Sequence, residues 1–145
     1  MKYARVDLSK TNYTVMSVDN FKFVNQVSLI PKLFDIYQKY CRYKKFPSVM
    51  PLFQQQFCDA SIDVIGYYHK EQLIAFSLIK KYDLENAEAL QFAWDYAEPN
   101  LRLGINSLKN ECAVYKAQGF KYLYLGSADG YKSQLDGYEI LGPLL

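Results

Sequence analysis

At 145 residues, half of them hydrophobic, the chain is long enough to bury a core and reads as one domain, residues 1–145. Only 7 Gly and 5 Pro occur, and no stretch is low in complexity, which argues against a disordered protein. The formal charge of +2 hides an asymmetry, because residues 1–60 hold nine Lys/Arg against four Asp/Glu and residues 61–145 hold eight against eleven. The basic part centres on Lys32, Lys39, Arg42, Lys44 and Lys45. It suits either a phosphate-rich partner or a plain solvated helix face. The three cysteines, Cys41, Cys58 and Cys112, form no C-x-x-C pair, so neither a disulfide framework nor a zinc site is expected. No apolar run approaches the length of a signal peptide or a membrane span, so the expected location is the cytosol, with no membrane partner.

Taken in order, residues 13–18 (YTVMSV) form the first strand candidate. Residues 28 to 45 read as a helix with Ser28 as cap and Pro31 in the first turn, where proline is tolerated. Its inner face is Leu33, Ile36, Tyr37, Tyr40 and Cys41. A shorter helix is expected over 48–59, with Pro51 in its first turn and Val49, Phe53 and Phe57 on one side. Residues 62–69 and 72–81 are β-branched and aromatic, and the polar tip Lys70-Glu71 joins them as a hairpin. The near-continuous apolar run 73–79 predicts a strand covered on both faces.

The organising stretch is 88–127. Strand-like runs at 88–95 and 120–125 flank a helical stripe of Leu101, Ile105, Leu108, Cys112 and Tyr115, spaced four, three, four, three. Asn100 is the expected cap and Gly119 the stop. Strand, helix, strand is a right-handed crossover. The first helical turn holds Arg102, Gly104, Asn106 and Ser107. The bare N–H groups and partial positive charge of a helix start can hold an anion there. The tail, 129–145, is read as loop plus a short strand near 138–141. The sum is a mixed α/β sheet of five to seven strands with flanking helices.

This order resembles the N-acetyltransferase (GNAT) superfamily. The family signature is Arg/Gln-x-x-Gly-x-Gly/Ala; here Gly104 fits the first glycine, while Leu101 and Asn106 stand at the basic and second-glycine places. A narrower resemblance is to the C-terminal region of arginyl-tRNA–protein transferases. It is carried, in collinear order, by Asp35-Ile36-Tyr37-Gln38-Lys39-Tyr40, by YYHKEQLIAFSLI at 67–79, and by Phe92-Ala93-Trp94-Asp95. Arg42-Tyr43 at the end of the first piece, Leu103-Gly104-Ile105-Asn106-Ser107-Leu108, Tyr122-Leu123-Tyr124-Leu125-Gly126, and Tyr131-Lys132-Ser133-Gln134 followed by Glu139-Ile140-Leu141 and Pro143 complete it. The resemblance implies an acyl-CoA N-acyltransferase fold: a mostly antiparallel central sheet with one parallel, splayed β-α-β crossover. It further implies transfer of an acyl or aminoacyl group from acyl-CoA (acetyl-CoA) or aminoacyl-tRNA onto a small-molecule or peptide amine. Whether tRNA is a partner and whether the chain forms an oligomer stay open.

On that reading Asp95, at the end of the strand entering the splay, is the first choice of proton acceptor; its other role is a turn-forming carboxylate before Pro99. Tyr122 and Tyr124, sharing one strand face with Phe120, can protonate a leaving group or pack in the core. Trp94, Arg102, Leu103, Gly104, Ile105, Asn106 and Ser107 are expected around the donor, and Tyr131, Lys132 and Gln134 around the acceptor or tRNA end. His69, alone at a hairpin tip, is read as surface structure. No Gly-x-Ser-x-Gly elbow and no spaced metal ligands occur, so no metal is expected. The competing class is a non-catalytic module for RNA or a protein partner. It predicts a splay filled by side chains such as Trp94, Tyr122 or Tyr124.

Overall fold

A computed structural model describes residues 3–45, 54–128 and 130–142. Its strands are β1 (Tyr3–Asp7), β2 (Phe21–Phe23), β3 (Ile62–His69), β4 (Gln72–Lys81), β5 (Asn86–Trp94), β6 (Tyr122–Ser127) and β7 (Tyr138–Leu141). Its helices are α1 (Ile30–Lys44), α2 (Gln54–Cys58) and α3 (Leu103–Ala117). The strands form one mixed sheet in the order β2-β3-β4-β5-β6-β1-β7. Every neighbouring pair is antiparallel except β5 and β6, which run parallel across the α3 crossover.

β4 divides the core in two. Phe76 and Leu78 pack with Leu33, Ile36 and Cys41 of α1. Ala75 and Ile79 pack with Leu108, Cys112 and Tyr115 of α3. That two-sided cover explains the unbroken apolar run in β4, buried from Leu73 to Ile79. Burial also pushes the Cys112 thiol up to about 12, the behaviour of a core cysteine. The hairpin tip Lys70-Glu71 is a tight turn in which both residues take positive φ, 50° and 68°.

β5 and β6 share only three residue pairs, Asn86–Tyr122, Ala87–Leu123 and Glu88–Tyr124. After them the strands part. β5 follows β4 out to Trp94, and β6 follows β1 out to Ser127. Each strand carries a bulge just past the last shared pair. Leu78 pairs with Gln91 and Ile79 with Ala89, leaving Leu90 extra; Ala4 pairs with Gly126 and Arg5 with Tyr124, leaving Leu125 extra. A bulge bends its strand and sharpens the local twist. Two of them, placed back to back, open a V between β5 and β6.

Several expectations give way. Residues 13–18 are not a strand: they drape over α3, with the Met16 N–H bonded to the Asn110 side chain at 2.8 Å and Tyr13 and Met16 packed on the core. The strands near the N-terminus are β1, five residues in which Ala4 and Val6 alternate with Tyr3, Arg5 and Asp7, and the three-residue β2. Ser28 lies in a 3-10 turn, and Leu29 precedes α1 without a side-chain cap. Asn100 is likewise inside a 3-10 turn, Pro99–Leu101, and Arg102, in left-handed conformation, is the N-cap of α3. Phe120 precedes β6 and stacks edge-on against Tyr115, 5.4 Å between centroids, so it does not share a strand face with Tyr122 and Tyr124. The expected helix 48–59 is described only as α2; Val49, Pro51 and Phe53 lie outside the described residues. Pro31 in the first turn of α1, the 62–69 and 72–81 hairpin, the end of α3 near Gly119 and the β7 strand match the sequence reading.

Candidate active site in the strand splay

The V is not filled. A groove of about 540 Å³ opens along β5 where it leaves β6, walled by Ala89 to Phe92 of β5, Ser77 of β4, Gly104, Leu108 and Glu111 of α3, and Tyr131 and Lys132 of the tail. Tyr40 and Lys44 of α1 reach it from the other layer. Gly104 stands at the first turn of α3 with no atom within 4 Å of where a Cβ would sit, so the glycine leaves the helix start bare towards the groove.

Among the described residues Glu111 is the one carboxylate in that wall, and it is buried, at 1% relative exposure. Tyr67 of β3 donates to its Oε2 at 2.5 Å and Ser77 of β4 donates to the same oxygen at 2.8 Å. Burial raises the Glu111 carboxyl to about 7, and the two hydroxyls hold it back from rising further. Burial, with the Glu111 charge beside it, holds Tyr67 protonated, well above the usual tyrosine value. A carboxyl poised near neutrality beside a groove can take and return a proton.

Residues 31–140 match the family "Arginine-tRNA-protein transferase, C terminus". The chain belongs to that family. Comparison with curated proteins finds no match. Among solved structures, L-PGS from Bacillus licheniformis is 14% identical, with 88% of this chain and 46% of that one covered at a TM-score of 0.59. A GCN5-related N-acetyltransferase from Kribbella flavida is 14% identical, covering 95% and 52% at 0.56. The N-myristoyltransferase of Saccharomyces cerevisiae, with bound myristoyl-CoA, is 8% identical, covering 96% and 47% at 0.59. The chain thus spans about half the length of these proteins and shares their fold. An aminoacyltransferase family on an N-acyltransferase fold is what the sequence resemblance implied.

The family domain distributes the expected site residues unevenly. Gly104, Tyr131 and Lys132 meet in the groove. Lys132 Nζ donates to the Leu125 carbonyl at 3.1 Å, tying the tail across the splay. Gln134 shares their 3-10 turn but is exposed and outside the groove wall. Ser107 is buried and its hydroxyl donates back to the Gly104 carbonyl at 3.3 Å, an internal helix bond. Leu103 and Asn106 turn to a separate pocket of about 450 Å³ on the far side of α3, where His69 joins them and lies 4.0 Å from Glu98. His69 is therefore next to the α3 start, although its sequence position gives no hint of it. Ile105 packs on the core, and Arg102 is exposed at the cap.

The three expected catalytic groups stand apart from the groove wall. Asp95 accepts the Ala97 N–H at 2.9 Å, which is the turn-forming role. Tyr122 and Tyr124 face away from α3, where the Arg5 guanidinium sits 3.8 Å above the Tyr122 ring and donates to the Tyr124 hydroxyl at 3.3 Å. Trp94 is buried against Tyr96, 4.5 Å between centroids, and its Nε1 has no hydrogen-bond partner. Glu111 was missed by the stripe Leu101–Ile105–Leu108–Cys112. A neighbouring row that shares Leu108 and Tyr115, namely Gly104, Leu108, Glu111 and Tyr115, also runs four, three, four, and a carboxylate inside such a stripe is the signal that points to it. Among the described residues no group of His, Cys, Asp and Glu could hold a metal ion, and no helix is long and apolar enough to cross a membrane.

Proposed function

We propose that this domain transfers an aminoacyl group from the 3′ end of an aminoacyl-tRNA to an amine, with the β5–β6 splay as the reaction site and Glu111 as proton acceptor. The observation that carries the reading is the open groove along β5 where it leaves β6, with a buried, near-neutral carboxyl in its wall. Family membership favours the tRNA ester as donor. In the reaction the amine nitrogen attacks the ester carbonyl carbon. The new C–N bond forms, the C–O bond to the ribose breaks, and Glu111 takes the proton lost by nitrogen and returns it to the leaving ribose oxygen. Lys44 and Lys132 bring positive charge to the groove, where the carbonyl oxygen becomes negative. Holding the two reactants in one cleft supplies much of the acceleration.

A second donor, acyl-CoA, is favoured by the shared fold with an N-myristoyltransferase that holds myristoyl-CoA. In that case a C–S bond breaks in place of the C–O bond. The non-catalytic alternative needs a blocked splay; Trp94, Tyr122 and Tyr124 lie elsewhere, which counts against it.

The test offers the protein radiolabelled aminoacyl-tRNA or acetyl-CoA with a set of amine and peptide acceptors. Label should pass from aminoacyl-tRNA to acceptor, and Glu111→Gln should abolish transfer. Transfer from acetyl-CoA alone would change the donor, and no transfer from either would sink the catalytic reading.

A further inference from the structure

An aromatic stack with no role in the chemistry above stands beside the groove. The rings of Tyr43 and Tyr96 lie 3.7 Å apart between centroids and 16° from parallel, and Tyr40 is 6° from parallel to Tyr96 at 6.2 Å. Trp94 packs on Tyr96 as well. Tyr96 follows β5 with φ +59°, a conformation that bulky side chains rarely adopt, and the neighbouring rings hold it there. Tyr43, in the last turn of α1, is 61% exposed. A large ring anchored below and open above is built to receive another flat group.

Three cations stand beside Tyr43 in the chain, and Asp95 next to Tyr96 spends its carboxylate on the Ala97 N–H. Arg42, Lys44 and Lys45 are exposed and take part in none of the ion pairs among the described residues, whereas Lys39 is paired with Asp35 at 3.1 Å. Lys44 and Tyr40 also wall the splay groove, so platform and groove are continuous. An acidic peptide would satisfy the cations and leave the ring unused. A nucleotide uses both, base on ring and phosphate on cation.

We propose that Tyr43, backed by Tyr96, is the stacking platform for an unpaired nucleotide at the 3′ end of the RNA donor, with Arg42 and Lys45 on its phosphates. The inference rests on the tRNA-donor reading and adds the residue that orients the end of the strand towards the groove. CoA also carries an adenine, but Arg42 and Lys45, either side of the ring at a helix end, suit a strand with phosphates in line.

The experiment uses the full chain and a fluorescent ribo-oligonucleotide ending in unpaired CCA, with binding read by anisotropy at low salt and CoA as competitor. Tyr43→Ala is expected to weaken binding roughly 5- to 100-fold. Tyr43→Phe, which keeps the ring, is expected to hold the wild-type affinity. Arg42→Ala and Lys45→Ala should each lower the slope of log affinity against log salt by about 0.7. Unchanged affinity in Tyr43→Ala, or no oligonucleotide binding at all, overturns the proposal. Binding of CoA through Tyr43 without oligonucleotide binding overturns it too. Tyr43-dependent oligonucleotide binding without label transfer upholds the platform while refuting the transferase reading, so the two failures are told apart.

Discussion

The Tyr67 hydroxyl on β3 and the Glu111 carboxylate on α3 meet across 2.5 Å, 44 residues apart in the chain. Asn110 Nδ2 stands 3.5 Å from the same hydroxyl, so two successive residues of α3 address one tyrosine. The pair fixes α3 over the middle of the sheet and presents the carboxyl to the splay groove. Its energetics set the first two predictions.

Glu111→Gln should stabilise the fold at alkaline pH. The folded carboxyl sits at about 7 against a reference of 4.5, so its contribution is fully present below the reference value and is lost as pH rises through the folded one. The loss is on the order of 3 kcal/mol by pH 8, at 1.36 kcal/mol per pH unit. Gln keeps an oxygen for Tyr67 and Ser77 and cannot ionise. Thermal unfolding from pH 5 to 8 should show the variant pulling ahead of the parent as pH rises; parallel curves would contradict the buried carboxylate. Transfer activity runs the other way, rising with pH through about 7 in the parent as Glu111 loses its proton.

Tyr67→Phe removes a hydrogen bond that holds the Glu111 carboxyl down. The pH–rate midpoint should move above its parental value, and stability at neutral pH should drop by roughly 1–3 kcal/mol for a buried acceptor left short of a donor. A pH titration of the rate reads the first effect and denaturant unfolding the second.

Gly104→Ala separates binding from folding. Its Cβ would meet no protein atom within 4 Å, so the added methyl should raise stability by up to about 1 kcal/mol through helix propensity alone. It would project at the groove wall, and donor affinity should fall. Equal donor affinity in the two proteins, measured by calorimetry, would remove the α3 start from the site.

Gly137→Ala should damage the fold without touching the groove. Gly137 has φ +73°, and its carbonyl accepts the Asp7 N–H at 2.9 Å where β7 joins β1. A Cβ there would collide with the Asp7 carbonyl oxygen, a backbone atom that cannot swing aside. Left-handed strain and the clash together should cost about 2 kcal/mol or more. Chemical denaturation would read the loss, and full stability in the variant would contradict the placement of the tail.

The sequence alone determined the elements that depend on local pattern. The β3–β4 hairpin, the doubly covered β4, α1, α3 and the order leading into the crossover follow from apolar spacing and turn residues, which neighbouring residues settle among themselves. The family resemblance could be read for the same reason, since its pieces are collinear. Tertiary structure alone decided which side chains meet. Leu90 and Leu125 look like ordinary strand residues, and only the mismatch of two registers makes them bulges that part β5 from β6. Asp95 had the right position in the chain but spends its carboxylate on its own turn. Glu111 had no conspicuous motif, yet burial by β3 and β4 makes it the group whose proton affinity suits the chemistry. A pKa and a cavity are sums over residues distant in sequence, and no local pattern carries them.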